Sequence, residues 1–168
     1  MKELILIRHA KSDWGNEYLK DIDRHLNDRG YGDAYLLSNW YFKSHGIPDL
    51  ILSSTATRAL NTALIFARTF DFNMNDFILE KNMYESTAAK LLSIIKKQND
   101  TKKKIMLFSH NPGITNLSND LCKDVFFDNL PTCAIVSLKF ETNSWKDITE
   151  KNSKLNYHQF PKDHKNSN

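Results

Sequence analysis

Leu4-Ile5-Leu6-Ile7 ends abruptly in Arg8-His9, and a second apolar run, Ile105-Met106-Leu107-Phe108, ends in the same manner in Ser109-His110-Asn111-Pro112-Gly113. Short apolar runs that are followed by turn residues are typical of strands buried on both faces of a sheet. In an open α/β sheet, ligands bind beyond the carboxyl ends of the strands. The two histidines are therefore predicted to face one crevice.

The rest of the chain alternates between β-rich runs and longer stretches with helical periodicity. Asn27 is expected to cap a helix that continues to about Ser44, because Ala34, Leu37 and Tyr41 recur at helical steps. This alternation predicts βαβ units and a largely parallel sheet that is covered by helices on both faces. The further predictions are strands at 49–52, 77–79 and 132–141, helices at 55–70, 87–97 and 114–121, and a hairpin strand at 145–148.

The composition is that of one soluble globular domain. The chain has 168 residues, 40% hydrophobic and 26% charged, and the mean hydropathy is -0.53. The longest apolar run, residues 63–67, is far shorter than the roughly 20 residues that a membrane helix needs. The first eight residues lack the apolar core of a secretory signal, which favours a cytoplasmic protein without a membrane partner. The net charge of +3 is too small to imply nucleic-acid binding.

Metal sites and disulfides find little support. Cys122 and Cys133 lack the paired spacing of metal ligands and are expected to be buried thiols. The one Asp-x-His, at residues 23–25, has no second histidine at ligand spacing. We therefore expect no metal and no organic cofactor. Residues 1–151 are expected to form one domain that carries the site, and residues 152–168 a poorly ordered polar tail.

A third strand end contributes another basic residue. Residues 50–52 are followed by Ser53-Ser54, and Arg58 lies in the first turn of the next helix. Two arginines and two histidines at one edge suit a phosphoryl group, because guanidinium forks match its oxygens and stay charged. Ser53 and Asn111 are further candidate phosphate contacts, although such residues also cap helices or bond their own backbone.

His9 is the candidate nucleophile, because it lies in the tight turn after the first strand. With the anionic oxygens neutralised by Arg8 and Arg58, an imidazole nitrogen can attack phosphorus in line and form a phosphohistidine that water later hydrolyses. His110 would then donate a hydrogen bond to an equatorial oxygen as charge builds there.

In order and spacing, these motifs resemble the histidine phosphatase superfamily, which has the phosphoglycerate-mutase-like fold. The resemblance spans about Met1 to Glu141. Its general motifs are Arg8-His9, Ser53-Ser54-x-x-x-Arg58 and Ser109-His110-Asn111-Pro112-Gly113. The motifs closest to its SixA-like phosphohistidine phosphatase branch are Arg8 to Trp14, Asp23 to Gly30, Met83-Tyr84-Glu85-Ser86 and Leu130-Pro131-Thr132.

The resemblance implies a three-layer α/β sandwich with a mixed, mainly parallel sheet flanked by helices. It also implies that His9 is the phospho-acceptor and that Arg8, Arg58 and His110 line the phosphate pocket, without a metal. Ala10 follows the histidine where the superfamily usually has glycine, and the SixA-like branch often has alanine there. The implied substrate is a phosphohistidine in a protein or a small phosphorylated molecule.

The proton donor stays open. Mutase-like relatives use an acidic residue, and Glu85 and Asp13 are the candidates. A phosphohistidine substrate relaxes the need for an acid, because its imidazole leaves readily once protonated. Two alternatives have the same chemistry on other substrates: a small-molecule phosphomonoester phosphatase of the same fold, and a mutase, for which the chain is short. The other two are a metallohydrolase and a phosphate-binding module without turnover.

Two further groups of residues have alternative interpretations at the surface. Arg24 and Arg29 are offset by nearby aspartates, which favours a solvated face. Trp14, Trp40 and Tyr41 are candidates for an exposed docking patch, although the last two suit core positions on a helix.

Overall fold

The computed structural model describes residues 1–165 and places six strands in one mixed sheet. The strand order is β3-β2-β4-β1-β5-β6. The first four of these are mutually parallel, β5 runs antiparallel to β1, and β6 runs antiparallel to β5. The strands are β1 (Lys2–Arg8), β2 (Leu50–Ser53), β3 (Phe77–Leu79), β4 (Lys104–Ser109), β5 (Ile135–Phe140) and β6 (Ser153–Gln159).

Helices cover both faces of the sheet. They are α1 (Asp28–His45), α2 (Thr57–Thr69), α3 (Ala88–Lys96), α4 (Gly113–Leu121) and α5 (Pro161–Lys165). Alternate side chains of β1 point to opposite faces, so that Ile5 and Ile7 pack with α1 and α2, whereas Leu4 and Leu6 pack with α3 and α4. The predicted three-layer α/β sandwich is confirmed.

Side chains cap the starts of α1 and α3. Asn27 accepts a hydrogen bond from the amide of Gly30 at 2.9 Å, and Thr87 accepts one from the amide of Lys90 at 3.2 Å. Helix α2 has no side-chain cap at its first turn. Ser54, which precedes α2, instead accepts from the amide of Ala56 at 3.2 Å and contacts Nε2 of His110.

The C-terminal expectations are corrected by the structure. Residues 153–159, expected to be poorly ordered, form the edge strand β6, and the segment expected as the hairpin strand at 145–148 contains a 3₁₀ turn instead. The turn buries Trp145, whose indole N–H donates to Lys102 O at 2.6 Å. An edge strand with one exposed face needs few apolar residues, so composition did not reveal β6. Residues 166–168 of the expected tail lie outside the described residues.

The register aligns the strand ends that matter. Arg8 pairs with Ser109 across β1 and β4, and Ser53 pairs with Phe108 across β2 and β4. The residues that follow these three strands therefore emerge at one edge of the sheet. Among residues 1–165, no helix combines the length and the apolar character that crossing a bilayer would require.

Candidate active site

A cleft of about 210 Å³ opens at the carboxyl ends of β1 and β4. It brings together the two histidines and two arginines that the sequence placed at strand ends. The lining residues are Arg8, His9, Lys11, Ser12, Trp14, Arg24, Arg58, His110, Asn111 and Thr132.

His9 is a buried residue of the cleft, and backbone hydrogen bonds hold the chain around it. Its amide donates to Ser109 O at 3.1 Å, and the amide of Cys133 donates to the carbonyl oxygens of Arg8 and His9 at 3.0 and 3.1 Å. Cys133 adopts a left-handed backbone conformation, with φ of 62°. Both cysteines are buried free thiols, as expected.

The ring of His9 has one nitrogen engaged with the backbone. Nδ1 lies 2.7 Å from the carbonyl oxygen of Ala10, and since a carbonyl can only accept, Nδ1 carries the proton. The lone pair of Nε2 is therefore left free. Burial, with the charges of Arg58 and Arg8 adding to it, lowers the pKa of His9 to about 3. A neutral imidazole with a free Nε2 is the nucleophilic form.

His110 is oriented by Ser54. The Ser54 hydroxyl oxygen accepts from the amide of Ala56 at 3.2 Å and lies 2.8 Å from Nε2 of His110. We assign the hydroxyl proton to this second contact, which leaves the proton of neutral His110 on Nδ1. Nδ1 is buried and has no hydrogen-bond partner among the described residues. The two histidine rings are 5.2 Å apart, which makes this N–H a candidate donor to a phosphoryl group on Nε2 of His9.

Burial, together with the charge of Arg58, lowers the pKa of His110 to about 4. Both cleft histidines are consequently neutral near neutral pH. The positive charge of the cleft comes from its arginines and from Lys11.

Two arginines each keep a buried donor for an anion. Arg8 Nη1 donates to Leu130 O at 2.8 Å, and Arg58 Nη1 donates to Asp21 O at 2.7 Å. The Nε of each is buried without a partner in residues 1–165. Burial and the charge of Arg58 lower the pKa of Arg8. Buried donors and neighbouring like charges both favour an anion in the cleft.

Arg24 is a third cleft arginine, and the expectation of a solvated face is wrong for it. Only 7% of Arg24 is exposed. Its Nη1 donates to Ser12 Oγ at 2.6 Å and its Nε to Asp21 Oδ1 at 3.2 Å. The sequence shows several aspartates near Arg24 but gives no sign that one of them, Asp21, turns the guanidinium inward.

Asp21 is an ionised anchor for this group of cations. Its Oδ2 accepts from Tyr84 OH at 2.5 Å and from Arg58 Nη2 at 3.1 Å. The Tyr84 hydrogen bond and the charge of Arg58 lower the pKa of Asp21 to about 2. Asp21 therefore orients arginines and is not a proton donor at neutral pH.

The two candidate phosphate contacts other than arginine and histidine differ in position. Ser53 is fully buried and its hydroxyl donates to Ser54 O at 2.9 Å, so it is Ser54 that supports the site. Asn111 lines the cleft, and its Nδ2 donates to Leu130 O at 3.0 Å. Its Oδ1 accepts from Thr115 Oγ1 at 2.7 Å. Both ends of the Asn111 amide are therefore engaged with neighbouring protein groups.

Neither candidate acid lines the cleft. Glu85 is exposed, has a φ of 52°, and lines an adjoining hollow that shares Asn111 with the cleft. Asp13 Oδ1 accepts from the amide of Gly15 at 2.7 Å. No group of three or more His, Cys, Asp or Glu side chains in residues 1–165 is arranged to hold a metal ion.

A close helix contact supports the loop after His9. A Cβ added to Gly30 would lie 2.1 Å from Lys11 O, so only glycine lets α1 approach this loop. The amide of Asn27 donates to the same oxygen at 3.0 Å. The start of α1 therefore fixes the backbone of Lys11, which lines the cleft.

Known proteins are similar to this chain in sequence. The family model of the histidine phosphatase superfamily (branch 1) matches residues 4–87. An uncharacterized chloroplastic protein of Arabidopsis thaliana is 32% identical over 154 residues, which cover 87% of this chain and 70% of that protein.

Solved structures agree in fold. The Agrobacterium tumefaciens protein that carries the name phosphohistidine phosphatase SixA superposes with a TM-score of 0.81 at 27% identity, covering 95% of this chain and 98% of that chain. A structure of the protein histidine phosphatase SixA complexed with tungstate gives a TM-score of 0.80 at 18% identity, with 96% and 98% covered.

Proposed function

The chain belongs to the histidine phosphatase superfamily, in its SixA-like branch, and on that premise we propose that it is a metal-independent phosphatase acting on phosphohistidine in a protein. The observation that carries this proposal is the free Nε2 of a neutral His9, in a cleft where N–H groups of Arg8, Arg58 and His110 have no partner among residues 1–165. The proposed location is cytoplasmic.

In the first step, Nε2 of His9 attacks phosphorus in line. The substrate ring carries a proton on its other nitrogen, so the P–N bond breaks to release a neutral imidazole. His9 becomes an N-phosphoryl imidazolium whose Nδ1–H stays on Ala10 O. One P–N bond replaces another, and no proton has to move between groups. Arg8 and Arg58 hold the phosphoryl oxygens, and His110 Nδ1–H stabilises charge on an equatorial oxygen.

In the second step, water attacks the phosphorus of phospho-His9. The P–N bond breaks, its electron pair returns to Nε2, and both protons of the water leave on dihydrogen phosphate. His9 regains the neutral form with which it began, and the charges balance without a metal ion.

Phosphohistidine is favoured as the substrate by the placement of the acids. An alkyl phosphate needs an acid to protonate its alkoxide, yet Glu85 and Asp13 do not line the cleft. Asp21, which contacts Arg58, has a pKa lowered to about 2. A protonated imidazole leaves as a neutral molecule and needs no such donor.

The test is rapid-quench labelling with a ³²P-phosphohistidine protein. We expect acid-labile, alkali-stable label on the enzyme, no label on His9→Ala, and normal label on His25→Ala, whose exposed histidine is outside the cleft lining. Stoichiometric binding of the substrate without label or turnover would instead establish a phosphate-binding module.

The second candidate is a small-molecule phosphomonoester phosphatase of the same fold, for which Glu85 is the proposed proton donor because its hollow adjoins the cleft at Asn111. A panel of phosphohistidine protein, sugar phosphates and an alkyl phosphate, run with and without EDTA, separates the two. We expect full activity in EDTA and preference for phosphohistidine. Alkyl phosphate turnover that equals phosphohistidine turnover and falls in Glu85→Gln would favour the ester enzyme.

A further inference from the structure

Trp14 is an exposed aromatic residue on a well-anchored piece of backbone. The residue is 71% exposed, although it lines the same cleft as His9. The Asp13 amide donates to His25 O at 2.8 Å, and Ser12 forms an antiparallel bridge with Leu26. These contacts fix the backbone immediately before the tryptophan.

The indole ring itself lies on Arg24. The guanidinium carbon of Arg24 is 3.4 Å from the ring centroid of Trp14, a stacking distance. Arg24 is in turn held by Ser12 and Asp21. One side of the indole is therefore supported by a buried cation, while most of the residue remains open to solvent at the cleft.

The position of the leaving group follows from the direction of attack. His9 is a buried residue of the cleft, with 7% of its surface exposed, whereas Trp14 is exposed at the same cleft. In an in-line displacement, the attacking and leaving atoms are on opposite sides of phosphorus. A leaving group released by attack from His9 consequently points to the mouth of the cleft, where Trp14 is exposed.

From this placement we propose that Trp14 is a stacking platform for the leaving imidazole of the substrate. The inference rests on the proposed phosphohistidine function and adds a specificity-determining residue to it. An indole face binds a flat aromatic ring by offset or edge contacts, and it offers no comparable contact to ammonia or a sugar hydroxyl. The platform would select substrates whose phosphoryl group is carried by a planar ring.

The experiment compares two substrates with the same type of bond, phosphohistidine and the phosphoramidate ion, whose leaving group is ammonia. Trp14→Leu is expected to lower kcat/KM for phosphohistidine about three- to tenfold, the range of an aromatic contact, and to change phosphoramidate less than twofold. Trp14→Phe should restore most of the loss. Tyr18→Leu is the matched control, because Tyr18 is 90% exposed in the same loop and does not line the cleft.

Tungstate affinity of each variant reports whether the arginines are still in place. An equal loss on both substrates, or a loss of tungstate binding in Trp14→Leu, would show that Trp14 acts by holding Arg24 and would overturn the platform. No loss on either substrate would overturn it as well. In both cases the phosphohistidine function stands. The phosphohistidine function itself is tested with the wild-type protein. If the wild type does not turn over phosphohistidine, both proposals are overturned.

Discussion

Nδ1 of His9 lies 2.7 Å from the carbonyl oxygen of Ala10, and this relationship determines which ring nitrogen faces the cleft. We predict that the phosphoenzyme carries its phosphoryl group on Nε2. NMR of the trapped phosphoenzyme with ¹⁵N-labelled histidine distinguishes the two isomers. Phosphorus coupled to Nδ1 would show that the His9 ring is flipped in the active form, and would contradict the prediction.

The histidine pKa values predict how stability depends on pH. The pKa values of His9 and His110 are lowered to about 3 and about 4, whereas an unfolded histidine titrates near 6.5. Below about pH 6.5 the unfolded chain binds more protons, so the folded state loses stability as the pH falls toward 4, by up to about 1.4 kcal/mol per pH unit for each histidine.

Urea unfolding between pH 7 and pH 4.5 measures this slope. We expect His9→Gln to make it shallower, and the matched change His25→Gln, outside the cleft, serves as the control. An unchanged slope in His9→Gln would mean that His9 is charged in the folded protein at acidic pH.

Arg58→Ala is predicted to weaken tungstate binding by about 10- to 100-fold, as expected for the loss of charge-assisted hydrogen bonds. Calorimetric titration checks the value. Arg68→Ala is the control, because Arg68 is an exposed arginine near the other end of α2. Equal affinities of Arg58→Ala and the wild type would remove Arg58 from the anion site.

Gly30→Ala and Gly32→Ala form a matched pair on α1. A Cβ at Gly30 would meet Lys11 O at 2.1 Å, whereas one at Gly32 would meet no atom of the described residues within 4 Å. We expect Gly30→Ala to destabilise the fold by about 1–3 kcal/mol and to lower turnover, since the cleft loop must shift. Gly32→Ala should stabilise it by about 0.5–1 kcal/mol. Thermal melts and activity assays test both; a fully active, stable Gly30→Ala would refute the close contact.

The sequence was sufficient to bring together Arg8, His9, Arg58 and His110, for a simple physical reason. Apolar runs identify parallel strands, and parallel strands place their carboxyl ends at one edge. Residues at the ends of adjacent strands are therefore spatial neighbours, whatever their distance along the chain.

The roles of Arg24 and Ser54 in the cleft could not be predicted from the sequence, because their positions depend on local turns. Arg24 is directed inward by the carboxylate of Asp21, and several aspartates nearby were equivalent candidates. Strand β2 ends at Ser53, and a shift of one residue decides which serine hydroxyl reaches His110. Helical and strand periodicity do not resolve a position that finely.

The late position of β6 in the chain has a practical consequence for anyone shortening this protein. A chain cut after Asn152 would keep every residue of the cleft but would leave β5 without the partner that now covers its outer edge. A bare edge recruits strands from other molecules. Such a truncation should therefore be recovered as aggregates, and a loss of activity in it would report on solubility rather than on catalysis.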